Sequence, residues 1–160
     1  MTEDLSNNGI IKVGTNTIVR YSNALIRRAI DEVSSELQIY SNAILIVEDE
    51  SILVDIINSF LEKEGFKNID RAENGLEAIN KLRSGKYELI LLNIGMPILS
   101  GFEVLEFIKK SSISTKVIVT SGYQSEEGFS YAMELGAIAY LKKPFSSEQL
   151  ISTITSIMRK

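Results

Sequence analysis

The chain contains no cysteine and no histidine. Without cysteine there is no disulfide framework, no thiolate metal site and no thiol nucleophile, a composition that suits a reducing cytosol. Without histidine there is no Ser-His-Asp triad, no histidine ligand for zinc and no phosphohistidine. Much of enzyme chemistry is thereby closed, and the reading is of a chain that is not an enzyme. Positive charge is neither abundant nor clustered: 17 Lys and Arg stand against 21 Asp and Glu, for a net charge of −4. No basic run offers a footprint for nucleic acid. No apolar segment approaches the roughly 20 residues that span a bilayer, and "MTEDLSNNG" lacks the charged and apolar regions of a secretory signal. The expectation is a soluble, cytoplasmic protein that touches neither membrane nor nucleic acid.

What is present is apolar material in a regular order. Hydrophobic residues make up 44% of 160 positions, enough for one compact domain and a modest extension. From Ala43 onward a short apolar run is repeatedly followed by a helical pattern. The runs are "AILIV" (43–47), "NIDRA" (68–72), "ELILL" (88–92), "KVIVT" (116–120) and "AIAYL" (137–141). Helices are predicted in "SILVDIINSFLEKEG", "GLEAINKLRSG", "GFEVLEFIKKS", "EEGFSYAMELG" and "SSEQLISTITSIMRK". In the first, Leu53, Ile56, Ile57, Phe60 and Leu61 fall at helical spacing, with Ser51 as N-cap and Gly65 as the stop. Near-continuous apolar strands alternating with helices indicate a parallel α/β sheet covered on both faces. "NIDRA", with Asp70 and Arg71, reads as an edge strand. Right-handed crossovers leave few topologies for five such units, and ligands in open sheets bind beyond the carboxyl ends of the strands.

The residues just past the apolar runs are therefore the candidates: Glu48 and Asp49 after the first, Asn93 after the third, Ser121 after the fourth and Lys143 after the fifth. Singly, each is an ordinary loop residue. Together, hard oxygen ligands, a hydroxyl and an ammonium form what Mg²⁺-assisted phosphoryl transfer requires. With these residues stand four motifs in order: "ILIVEDE", "NIGMPILSG", "VIVTSGY" and "GAIAYLKKPF". From Ala43 to Lys160 the chain resembles a response-regulator receiver domain of two-component signalling.

That resemblance implies a flavodoxin-like, doubly wound sheet of five parallel strands in the order 2-1-3-4-5, with helices on both faces. It also implies that Glu48, Asp49, the residue at position 93 and the backbone carbonyl of Gly95 hold Mg²⁺. Ser121 would be the switch hydroxyl, Lys143 the partner of the phosphoacceptor or phosphoryl group with a cis bond to Pro144, and Tyr140 the aromatic whose rotamer follows the switch. Tyr140 reads equally as an ordinary half-buried aromatic of the last strand. The implied partners are a sensor histidine kinase or phosphotransfer protein, and a downstream effector that docks on the fourth helix, fifth strand and fifth helix of the fold.

The departure lies at the nucleophile. Where the family has Asp-x-x-Met-Pro-x-x-x-Gly, this chain opens the motif with Asn93. An amide nitrogen lone pair is delocalised into its carbonyl and the oxygen bears no full charge, so Asn93 cannot form the acyl phosphate. The change also removes an anionic ligand, so Mg²⁺ is expected to bind more weakly, and it offers Lys143 only a neutral acceptor. Two explanations follow. In the favoured one, a competent receiver was deliberately fixed in the unphosphorylated state, which leaves Glu48, Asp49, Ser121 and Lys143 intact. In the other, the domain is a natural pseudo-receiver that works through constitutive protein contacts. A flavodoxin-like nucleotide- or flavin-binding protein is the remote alternative, since "SGYQSEEG" lacks the glycine spacing of a phosphate-cradling loop.

Residues 1–42 lie outside the motif pattern. "GIIKVGTNTIVRYS" suggests a short hairpin about Gly14 and Asn16, and Ser6, Asn7 and Asn8 read as a loose terminus. In residues 23–40, Ile26, Ile30, Val33 and Leu37 form an apolar helical seam. Its two heptads fall short of a coiled-coil signature. Docking on the receiver is the alternative to a dimerisation or partner-docking element, which would make the protein a homodimer. At the C-terminal end the expectation is of a stand-alone receiver or of a fragment whose effector was removed.

Overall fold

The computed structural model describes residues 8–13, 17–123 and 125–159. It divides into two compact units, one up to Gln38 and one from Ile39 onward. In the first, β1 (Asn8–Val13) and β2 (Thr17–Ser22) pair antiparallel, with Asn8 opposite Ser22 and Val13 opposite Thr17. The expected hairpin is thus present, and its turn at Gly14 and Asn16 lies outside the described residues, as do Ser6 and Asn7. Asn8 corrects the expectation of a loose terminus, because the ladder opposite Ser22 engages it. Helix α1 (Asn23–Ser41) follows, and its last turn belongs to the second unit. No glycine or proline interrupts it, and Arg28 Nε lies 3.1 Å from Glu32 Oε1 one turn on. Ile30, Val33 and Leu37 of the predicted seam are exposed.

The second unit holds five parallel strands: β3 (Ile44–Val47), β4 (Ile69–Ala72), β5 (Leu89–Asn93), β6 (Lys116–Ser121) and β7 (Ala139–Lys142). Their spatial order is β4-β3-β5-β6-β7, the 2-1-3-4-5 arrangement expected. Between them run α2 (Ser51–Lys63), α3 (Gly75–Ser84), α4 (Gly101–Lys110) and α5 (Glu126–Glu134), with α6 (Ser147–Met158) last.

Strand parity explains why the sheet needs helices on both sides. Leu45, Val47, Ile90, Leu92, Val117 and Val119 point one way into a core with Val104, Leu105 and Ile108 of α4. Ile44, Ile46, Leu89, Leu91 and Ile118 point the other way, against Val54, Ile57 and Leu61 of α2 and Leu150 and Ile154 of α6. Each such side chain contributes about 1.5–3 kcal/mol by leaving water. A strand polar on either face would forfeit one of these layers. β4 is at the sheet edge, as its composition predicted, with Arg71 exposed.

Helix ends follow the sequence with one correction. Gly65, at φ +99°, lets α2 close with Phe66 N–H donating to Leu61 O at 3.1 Å and Gly65 N–H to Glu62 O at 3.0 Å. This left-handed close satisfies carbonyls that would otherwise be orphaned. Ser51, expected as the N-cap of α2, is its first helical residue, and Glu50 holds the cap position without a side-chain cap bond. The extended backbone that a cap requires falls at Glu50, with φ −88° and ψ 102°.

Candidate functional site

The chain passes from β3 to the edge strand β4 on one side and then to β5 on the other, so the strand order reverses between β3 and β5. At such a reversal the carboxyl ends of the two strands diverge and leave a crevice. Glu48, directly after β3, is 1% exposed, and Asn93, the last residue of β5, is 5% exposed.

Their side chains meet there. Asn93 Nδ2 donates to Glu48 Oε1 at 2.9 Å and to Asp49 Oδ1 at 3.0 Å, and the Gly95 N–H donates to Asn93 Oδ1 at 3.1 Å. This network fixes the amide's orientation. The reverse orientation would set its oxygen against two carboxylates and its NH₂ against an N–H. From β7's end, Lys143 Nζ donates to Glu48 Oε2 at 2.6 Å. The expectation put this ammonium on position 93. Among the described residues its partner is Glu48, because a carboxylate holds an ammonium more strongly than a neutral amide oxygen does. The Lys143–Pro144 bond is cis. Glu48's carboxyl lies above its ordinary value: burial pushes it up, and the Lys143 hydrogen bond and charge only partly reverse that.

Position 93 is held by glycine as well as by acids. A Cβ on Gly101 would collide with the Asn93 carbonyl oxygen, and Gly101 N–H donates to Ile94 O at 3.1 Å. The start of α4 thus rests against the end of β5, which is why "NIGMPILSG" ends in glycine. Glu103 steadies the same helix start, accepting from the Ser100 N–H at 2.8 Å.

Ser121 and Tyr140 converge on one backbone group. Ser121 Oγ donates to Tyr123 O at 2.5 Å and accepts from Tyr123 N–H at 3.2 Å, while Tyr140 OH donates to the same carbonyl at 3.3 Å. The Tyr140 ring also lies 5.6 Å from that of Phe129, at 61°. Sequence reasoning missed the Tyr123 carbonyl, which no side-chain type marks; Gly122, after the hydroxyl, is the trace that a tight bend leaves. A second cluster, which no local spacing marks, joins β4, α3 and the approach to β5. Tyr87 OH donates to Asp70 Oδ2 at 2.7 Å, and Lys81 Nζ reaches both Asp70 oxygens at 2.9 and 3.0 Å. Burial works against charge on Asp70, but Tyr87 and Lys81 outweigh it and hold its carboxyl low. Burial, then Asp70's carboxylate, push the Tyr87 phenol up to about 12.

Hard oxygens at a strand-end crevice suit a divalent cation in chemical type. The side chains as arranged do not fit one. The acid oxygens that face position 93 already accept the amide's protons, and the amide turns nitrogen, not oxygen, toward them. Among the described residues no three acidic, histidine or cysteine side chains gather to hold a metal. No helix among them is long and apolar enough to cross a membrane.

Residues 44–155 match the protein family described as response regulator receiver domain. The chain is 37% identical over 118 residues to the transcriptional regulatory protein CpxR homolog of Haemophilus influenzae, covering 73% of this chain and 50% of that protein. It is 33% identical over 117 residues to the response regulator SaeR of Staphylococcus aureus, with 73% and 50% covered. It thus spans about half the length of these curated relatives. A solved CheY-like receiver domain protein from Methanospirillum hungatei superimposes with a TM-score of 0.70 at 30% identity, over 74% of this chain and 94% of that one.

Proposed function

The chain belongs to the response regulator receiver domain family, and from that premise we propose that it is a two-component receiver whose phosphoryl input is closed at Asn93. Receiver domains are signalling domains and bind Mg²⁺ at the site of phosphorylation. In an acceptor-competent receiver, a carboxylate oxygen attacks phosphorus, a P–O bond forms, and the donor's leaving group departs. Position 93 offers no such oxygen here. The observation that carries this reading is the commitment of both Asn93 amide protons to Glu48 and Asp49.

The intact surroundings support a receiver fixed in its unphosphorylated form by one residue. Glu48, Asp49 and Lys143 remain within hydrogen-bonding reach of one another or of position 93, and the Ser121 hydroxyl stands at the end of the neighbouring strand. A natural pseudo-receiver is the second reading, favoured by the Asn93 amide's full set of partners. Under either, output runs through protein contact. A sensor histidine kinase or phosphotransfer protein would address the strand-end crevice, and an effector would dock on α5, β7 and α6. Exposed Phe129 on α5, whose ring stands 5.6 Å from that of Tyr140 on β7, supports that surface. The exposed seam of Ile30, Val33 and Leu37 on α1 supports a homodimer.

Incubation with acetyl phosphate and Mg²⁺, followed by intact mass measurement, tests the reading. The chain as it stands is expected to take no phosphoryl group, and Asn93→Asp to take one that alkali removes. An unmodified Asn93→Asp protein would favour the pseudo-receiver. A phosphoryl group on the unaltered chain would refute closure at position 93.

A further inference from the structure

Resting on the receiver reading, we propose that the Asn93 carboxamide takes over the structural role of the divalent cation, so that this site is complete, and indifferent to Mg²⁺, without any metal. Glu48 Oε1 and Asp49 Oδ1 lie 2.9 and 3.0 Å from one and the same nitrogen. Two anionic oxygens held that close need a positively polarised group between them. The amide supplies one N–H to each. Its oxygen is pinned in turn by the Gly95 N–H, so the NH₂ cannot rotate away without losing three hydrogen bonds at once.

The remaining demand of the buried acid is met from the other side. Glu48's second oxygen takes the Lys143 ammonium at 2.6 Å, and Glu48 is 1% exposed. Both oxygens of the acid least able to reach water therefore have donors. A cation entering between Glu48 and Asp49 would have to break both hydrogen bonds from the Asn93 amide and would meet N–H groups where it needs lone pairs. It would also find a site with one negative charge fewer than an aspartate at position 93 would provide. The receiver is thereby held in one state at any Mg²⁺ concentration.

The test compares the full chain with Asn93→Asp. Binding of Mn²⁺ is followed by the free-ion electron paramagnetic resonance signal, with Mg²⁺ in competition, and thermal unfolding is recorded in EDTA and in excess Mg²⁺. Asn93→Asp is expected to bind Mn²⁺ roughly 30-fold tighter or more, the ratio that one charge-assisted contact commands. Its melting temperature should rise with Mg²⁺, and that of the unaltered chain should not. Mn²⁺ affinities within about threefold of each other, or a Mg²⁺-dependent rise in the unaltered chain, overturn the proposal. Should Asn93→Asp fail to fold, Asn93→Ala decides the matter. Loss of the bridging amide is expected to lower its melting temperature in EDTA by roughly 5 °C, and an alanine protein as stable as the original overturns the proposal. An Asn93→Asp protein that binds Mn²⁺ but takes no phosphoryl group defeats the acceptor reading and leaves this one standing. Equal Mn²⁺ affinities defeat this one whatever phosphorylation does.

Discussion

Replacing Lys143 by Met removes the ammonium from Glu48 while keeping most of the side chain's apolar length. Glu48 is 1% exposed and the lysine side chain 15%, with 2.6 Å between the charged atoms, so the pair lies in the interior. Stripping one partner from a buried pair costs about 3–5 kcal/mol. Two effects reduce that figure. The Asn93 amide and the Glu50 N–H remain on Glu48 Oε1, at 2.9 and 3.4 Å, and the carboxyl can escape by protonating. Its pKa already lies above the ordinary value, and each further unit upward corresponds to about 1.4 kcal/mol. The expected loss is about 3 kcal/mol at pH 7. An acid whose folded pKa is raised destabilises the fold as pH climbs from its unfolded value through its folded one, so the loss should be smaller near pH 5 than at pH 7. Urea unfolding followed by circular dichroism at both pH values measures it. Combining Lys143→Met with Glu48→Gln should recover most of the loss, because no charge is then stranded. A loss under about 0.5 kcal/mol at pH 7, or one equal at the two pH values, would refute the reasoning.

Two more perturbations probe what positions the site and what lies beside it. Gly101→Ala sets a methyl group against the Asn93 carbonyl oxygen and the Ile94 backbone, neither of which can yield, and should destabilise the second unit by about 3 kcal/mol in urea unfolding. Tyr87→Phe should cost about 1 kcal/mol, since Asp70 is 41% exposed and its hydrogen bonds are partly screened. In absorbance titration it should also remove the phenol that ionises at about 12. Because that phenol is raised, its contribution is whole below pH 10 and fades as pH rises through about 12. Asp70's, being lowered, is whole above 3.8 and fades as pH falls further.

The fold was legible because alternation between strand and helix patterns is written in side-chain chemistry. Ile44 to Val47, Leu89 to Leu92 and Val117 to Val119 are apolar at consecutive positions because each strand is covered on both faces. Glu48 and Asn93 could be located by counting one residue past such runs. What the sequence left open was orientation. Whether the ammonium of Lys143 would choose position 93 or Glu48 depends on which acceptor carries charge at short range, and that range is set by how β3, β5 and β7 pack, not by any local spacing. The direction of the Asn93 amide depends on an N–H two residues further along a loop. Ser51 falls inside the helix and not at its cap since capping is a matter of backbone angles at Glu50, and the helical pattern alone locates an end only to within a residue or so. The Tyr87, Asp70 and Lys81 cluster is formed by three separate elements, and no local spacing announces it.

The claim on which the account turns is that both Asn93 amide protons are held by acids. Two-dimensional ¹⁵N–¹H spectra of the full chain, with the side-chain NH₂ identified by its disappearance in Asn93→Asp, examine it directly. The account predicts two resolved proton signals that exchange slowly with solvent and do not move when millimolar Mg²⁺ is added. A pair that exchanges rapidly with solvent, or signals that shift with Mg²⁺, would contradict it.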